Sequence, residues 1–180
     1  MRPISTTCHK LRRIATLAVA ALLALSGCTS EDDPSRARPG DCLEAESRGR
    51  KAGDFRIVGC DAPEAAYKVA RRLTDSRGCG SSAYGYATSP YVRSGGWHLC
   101  LTLNARVGDC FHQEIGFPTG KASRVACGSS ATYRIVRVVE GHADRELCGE
   151  EATHPVSDDL TRPVALVYPE PPLTICTGRA

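Results

Sequence analysis

Two stretches of the chain repeat one pattern of apolar and polar positions. Tyr67, Val69, Arg71 and Leu73 alternate with their neighbours just as Tyr133, Ile135, Arg137 and Val139 do, at a shift of 66 residues. Taken alone, Asp61-Ala-Pro-Glu64 followed by Ala65, Ala66, Val69 and Leu73 would open a helix with a capping box. Its partner, Ser130 to Glu140, is rich in β-branched residues with a period of two, which predicts a strand. Copies fold alike, so strands are expected at about 66–73 and 132–139, with a short helical turn from Asp61 to Ala65. Two hairpins follow. In the first, Tyr91-Val-Arg, the turn Ser94-Gly95-Gly96 and Trp97 to Leu103 place Trp97, Leu99, Leu101 and Leu103 on one face. In the second, Val164 to Tyr168, the bend Pro169 to Pro172 and Leu173 to Cys176 do the same. Arg145 to Ala152 is the best helix candidate.

The repeat extends to the cysteines. Gly40-Asp41-Cys42 pairs with Gly108-Asp109-Cys110, and Val58-Gly59-Cys60 with Val125-Ala126-Cys127. Cysteine gaps of 18, 19 and 21 in the first copy become 17, 21 and 28 in the second, so only the loops differ much. A rival register matches Cys79-Gly-Ser-Ser-Ala with Cys127-Gly-Ser-Ser-Ala, but it pairs no Gly-Asp-Cys with another. The longer register aligns four cysteines in order.

The N-terminus reads as an address. Arg2, Lys10, Arg12 and Arg13 precede twelve residues, Ile14 to Leu25, without a charge, the layout of a secretory signal. Twelve residues are too few to span a bilayer, which needs about 20. The segment ends in Leu25-Ser26-Gly27-Cys28, which resembles the bacterial lipobox, whose cysteine is acylated and becomes the first residue after cleavage. Residues 1–27 are thus expected to be a lipoprotein signal peptide and Cys28 the lipid attachment site on a cell membrane. Two acyl chains pass the threshold below which anchoring is only reversible. Thr29 to Pro39 lacks a large apolar residue, so 28–39 is read as a lipidated cysteine with a disordered tether, reaching about 35–40 Å when extended.

With Cys8 in the signal and Cys28 acylated, eight cysteines remain: Cys42, Cys60, Cys79, Cys100, Cys110, Cys127, Cys148 and Cys176. An even number outside the cytoplasm reads as a disulfide framework. Repeat symmetry and adjacent strands favour Cys42–Cys60, Cys79–Cys100, Cys110–Cys127 and Cys148–Cys176. Units of about 70 residues bury a limited core and gain from such staples, each worth around 3 kcal/mol. The expected fold class is α+β, mostly β: two tandem disulfide-stapled units of antiparallel strands, 40–104 and 105–180, with a short helix each. The short link near Asn104 to Gly108 favours direct packing of the two.

The Gly-Asp-Cys, Val-x-Cys and alternating-strand pattern resembles the actinobacterial secreted and lipid-anchored proteins grouped around LppU and the septum-formation-related domain. The resemblance covers about residues 40–180, twice over. It departs after the second cysteine, where the septum-type pattern commonly has Pro-His and this chain has Asp61-Ala62-Pro63-Glu64 and Gly128-Ser129-Ser130. The resemblance carries over no catalytic residue.

Candidate chemistry is sparse. Apart from the four N-terminal cations, 19 basic side chains face 20 acidic ones, which gives no footprint for nucleic acid. No Cys-x-x-Cys pair supports disulfide exchange. His98 and His112 each lie two residues from a cysteine, but no second such pair completes a four-ligand zinc set. With His142 and His154 they read as surface or cavity-edge residues. There is no Gly-x-Ser-x-Gly elbow and no phosphate loop; Ser81, Ser82, Ser129 and Ser130 read as loop serines, and Glu150/Glu151 and Asp158/Asp159 as solvated turns. Neither metal nor cofactor is expected. Tyr84, Tyr86, Tyr91 and Trp97 crowd a glycine-rich stretch, which either offers an amphipathic surface to an envelope protein or cell-wall glycan or covers a thin core. The favoured expectation is a non-catalytic, extracytoplasmic binding or scaffold lipoprotein. An envelope hydrolase using carboxylates or His98 from separate loops, and a purely structural or inhibitory lipoprotein, stay open beside it.

Overall fold

The computed structural model describes residues 32–46, 54–74, 78–81, 84–88, 96–114, 121–150 and 162–180. Ten strands are described: β1 Cys42–Ala45, β2 Phe55–Val58, β3 Tyr67–Leu73, β4 Gly85–Thr88, β5 His98–Leu103, β6 Cys110–Gln113, β7 Ala122–Val125, β8 Tyr133–Glu140, β9 Ala165–Pro169 and β10 Pro172–Gly178. They form two five-stranded sheets of one topology, β2-β1-β3-β5-β4 and β7-β6-β8-β10-β9, with every pairing antiparallel. Registers repeat as well. Cys42 faces Val58 and Lys68, and its counterpart Cys110 faces Val125 and Arg134.

The chain is mostly β, which corrects the α+β expectation. The helical elements described are two 3₁₀ turns, Pro34–Arg36 and Arg145–Cys148, and Asp54 and Glu150 also have 3₁₀ conformation. The second turn falls within the expected helix and stops after four residues. Asp144 caps it by accepting from Glu146 N at 2.9 Å, and the Gly149 N–H returns to Glu146 O. Cys148 is also bonded to Cys176 on β10, so the turn cannot extend without moving the sheet. Around Cys79, residues 78–81 form no helix. Asp61 to Ala65 makes turns only, with Ala65 N donating to Ala62 O.

All four expected disulfides are present: Cys42–Cys60, Cys79–Cys100, Cys110–Cys127 and Cys148–Cys176. In each, one cysteine lies on a strand and its mate in a loop or turn. The second hairpin lies where expected, as β9 and β10. In the first, the strand paired with β5 is Gly85–Thr88 rather than Tyr91 to Arg93, which lies outside the described residues. The β5 strand is buried from Leu99 to Leu103; it lies inside the sheet between β3 and β4, and Leu99, Cys100, Leu101 and Leu103 belong to one core cluster with Phe111, Tyr133 and Tyr168.

The two copies share one core. Leu43, Phe55, Tyr67, Leu99 and Leu101 of the first pack in a single cluster with Phe111, Tyr133, Ile135, Tyr168 and Ile175 of the second. Residues 31–180 accordingly form one compact unit. Neither sheet has to bury its apolar face alone, which is how copies too small for a full core reach adequate burial.

The expected tether is ordered from Asp32 onward, another correction. Ile57 N donates to Asp32 O at 2.9 Å, so the chain docks on the outer edge of β2 at Asp32 before crossing to β3. Asp33 caps the first 3₁₀ turn through Ser35 N at 2.8 Å, Pro34 is buried, and Ala37 is fully buried with its carbonyl accepting from Arg72 Nη1 at 3.1 Å. Small apolar residues sufficed to dock a segment whose composition reads as solvated.

Candidate functional site

The repeated Gly-Asp-Cys element is a turn followed by a staple. Asp41 Oδ2 accepts from Arg38 N at 2.7 Å, and Asp109 Oδ2 accepts from Arg106 N at 2.8 Å. Gly40 and Gly108 have φ of +99° and +97°, a region that favours glycine. Each glycine N–H then bonds into the third strand of its copy, at Val69 O and Ile135 O. Both aspartates are engaged by backbone, Asp109 also by Arg124 at 3.5 Å, and the motif positions β1 and β6.

The aromatic stretch does not form one exposed surface. Tyr84 is 3% exposed, and its hydroxyl donates to Glu170 O at 2.5 Å and accepts from Glu170 N at 2.9 Å. Its ring lies 5.2 Å from that of Tyr168. Tyr84 thus ties the first copy to the second hairpin, and its assignment to a binding surface is corrected. Trp97 is half-buried, with the Arg72 guanidinium 5.5 Å from its ring. Tyr91 and the side chain of Tyr86 lie outside the described residues.

Cys79, His98 and Cys100 bring ligand-type atoms within 4.8 Å of one another, and His98 Nε2 is 3.2 Å from Cys79 Sγ. The two sulfurs are bonded to each other, so no thiolate is available to a metal while the bridge is closed. His112 Nδ1 lies 3.1 Å from Ser130 O and borders a shallow hollow with Ser123, Ser129 and Thr132. His142 and Glu150 are exposed; Ser82, Glu151, His154, Asp158 and Asp159 lie outside the described residues.

Three buried tyrosines occupy the seam instead. Tyr67 Oη accepts from Ala122 N at 2.7 Å, and Tyr168 Oη accepts from Leu103 N at 3.3 Å, each bond crossing between copies. Burial pushes the Tyr67 hydroxyl up to about 12, against a lesser opposing pull from the Ala122 N–H. Burial likewise raises Tyr168 and Tyr133 far above the ordinary phenol range. These groups stay protonated and neutral at physiological pH, and the hydroxyls of Tyr67 and Tyr168 act as structural links.

A cleft of about 490 Å³ is lined by both copies. The first copy contributes Lys68 to Ala70 and Thr102 to Asn104, and the second Ala105, Val138, Glu140, Gly141 and Pro171 to Leu173 with Ile175; Pro39 and Gly40 also line it. Most of the lining is apolar, and the volume lies in the range of small-molecule sites. Lys68 and Glu140 are exposed, and neither side chain has an ion pair or hydrogen bond among the described residues. Asn104, at the link between copies, is held by its amide, which donates to Cys60 O and Ala65 O at 2.9 Å each. Sequence reasoning missed this cleft because it arises from strands about 70 residues apart; the Pro171-Pro172 and Pro39-Gly40 tips were its only local signal.

No match to a family model, a curated protein or a solved structure was found for this chain. No helix among the described residues is long and apolar enough to cross a membrane.

Proposed function

We propose that this chain is a lipid-anchored, extracytoplasmic binding module of the cell envelope, held to the membrane through Cys28, that takes its ligand non-catalytically in the cleft between its two copies. Kinship with LppU-like and septum-formation-related proteins belongs to the same proposal and is supported by the twofold Gly-Asp-Cys pattern. The observation that carries the binding role is the apolar cleft lined by both copies. Two of its lining strands, β5 and β10, are each tied by a disulfide to a loop or turn, Cys79–Cys100 and Cys148–Cys176, which helps to hold the site in shape before any ligand arrives. Those disulfides suit an oxidising compartment, in agreement with the secretory layout of the first 28 residues.

Two measurements test it. The N-terminal peptide of membrane-isolated protein is expected to carry a diacylglyceryl group on Cys28, with Cys28→Ser released into the soluble fraction. Native mass spectrometry of the extracted protein is expected to show a bound small molecule that Ala70→Trp, filling the cleft, excludes. A Cys28 free of lipid overturns the anchor, and ligand-free spectra for both sequences overturn the cleft.

A further inference from the structure

Resting on the proposed acylation of Cys28, we infer that the face carrying Arg36, Arg38, Arg72 and Trp97 lies against the anionic headgroup layer of the membrane that holds the anchor. The first observation is length. Asp32 is fixed to the edge of β2 through Ile57 N, so only residues 29–31 separate Cys28 from the folded body. At about 3.3–3.6 Å per residue, Cys28 and Asp32 can be no more than about 14 Å apart. The headgroup layer itself takes up roughly 5–7 Å of that distance. A leash this short cannot lift the body clear of the surface, and whatever surrounds Asp32 meets lipid.

The second observation is chemistry. Arg72 donates to Ala37 O, five residues beyond Asp32, and its guanidinium lies over the ring of Trp97. Trp97 is half-buried and Arg72 exposed, so an amphipathic ring and a cation stand together beside the docked segment. Arg36 and Arg38 flank Ala37 and are exposed, and none of the three arginines is in an ion pair among the described residues. Tryptophan and arginine suit the interface, where the ring sits at headgroup depth and cations are attracted to an anionic surface. Asp33 is engaged with Ser35 N and Asp41 with Arg38 N, while Asp32, bonded through its carbonyl and not its carboxylate, is one exposed acid set against Arg36, Arg38 and Arg72.

Trp97 is the chain's single tryptophan, which makes it a built-in probe. The full acylated protein is reconstituted in vesicles of phosphatidylcholine and phosphatidylglycerol doped with a dansyl-headgroup lipid, and energy transfer from Trp97 is measured. The reference variant combines Arg36→Glu and Arg38→Glu with ten Gly/Ser residues inserted between Ser30 and Glu31, which add roughly 15–20 Å of mean reach. Transfer is expected to be high in the natural sequence and to fall by about half or more in the variant, with unchanged thermal melting showing that the variant is folded. Natural protein that floats with the vesicles yet transfers no better than the variant overturns this inference and leaves the anchor standing. Protein that stays in the supernatant with an unmodified Cys28 overturns both.

Discussion

The phenolic oxygen of Tyr67, on the third strand of the first copy, accepts a hydrogen bond from the backbone N–H of Ala122 at the start of β7 in the second, at 2.7 Å. Both residues are buried, so this bond is made where water cannot replace it. Tyr67→Phe removes the acceptor and leaves the Ala122 N–H without a partner. The expected cost is about 1–3 kcal/mol in urea unfolding, with a matching loss from Tyr168→Phe at Leu103 N. A change below about half a kcal/mol for both would show that the seam does not rely on these hydroxyls.

Tyr133 is the counterpart of Tyr67 in the repeat, yet its fate is opposite. It is fully buried, its ring stacks on Phe111, and its hydroxyl has no hydrogen-bond partner. Removing an unsatisfied buried hydroxyl relieves a desolvation cost, so Tyr133→Phe is expected to be neutral or to stabilise by about 1 kcal/mol or more. Equal destabilisation by Tyr67→Phe and Tyr133→Phe would contradict this asymmetry.

Much of the frame was legible because it is written in local chemistry. Alternation at Tyr67 to Leu73 and Tyr133 to Glu140 marked β3 and β8, and the ordered cysteines marked the staples. What failed was what long-range packing decides. Arg145 to Ala152 has good helix formers, but the bond from Cys148 to Cys176 and the Gly149 turn ended it after four residues. Asp32 to Pro39 looked too polar to dock, but it needed only Pro34, Ala37 and the free edge of β2. Tyr84 could be read as surface or as core cover, and what decides for the core, its partner at Glu170, lies 86 residues away. The cleft is legible only once the two sheets share a core.

Alkaline pH should unfold the protein through its tyrosines. Tyr67 has a folded pKa of about 12 against an ordinary value near 10, so between those values the folded state holds more protons than the unfolded one. Its contribution is therefore complete below pH 10 and lost as pH rises through 12, a loss of about 2–3 kcal/mol from Tyr67 alone. Tyr168 and Tyr133 are raised further and extend the loss in the same direction. Circular dichroism against pH is expected to stay flat to about 10 and then fall, with tyrosinate absorbance at 295 nm appearing together with unfolding. Tyrosinate that appears near pH 10 in a still-folded protein would mean that these hydroxyls reach water.

Substituting the motif glycines isolates a backbone effect. A Cβ at Gly40 would meet nothing within 4 Å, and one at Gly108 only Arg134 Nη2 at 4.0 Å, so space is not the obstacle. The cost of Gly40→Ala or Gly108→Ala is that of holding an L residue at φ near +98°, about 1–2 kcal/mol each. The two sites lie in different copies and their losses should add. Chemical denaturation of both single variants and the double checks this; a double variant no worse than either single one would mean that the copies unfold separately.

Burial ranks the disulfides for reduction. A thiol must reach a sulfur in line with the bond it breaks, so shielding both sulfurs slows attack. Cys127 is exposed and Cys60 and Cys148 are half-buried, whereas Cys79 is 9% exposed and Cys100 is fully buried. Limited dithiol treatment of the folded protein, followed by alkylation and peptide mass mapping, is expected to label Cys110 and Cys127 first and Cys79 and Cys100 last. The exposed bridge closes a loop of 17 residues and should cost around 3 kcal/mol when opened, leaving a folded but weakened body. Opening Cys79–Cys100 instead requires the β5 core to part, so its labelling should coincide with global unfolding. Labelling of Cys79 and Cys100 ahead of the others, in protein whose circular dichroism is unchanged, would show that this bridge opens through local motion and that the neighbouring His98 is reachable by solvent.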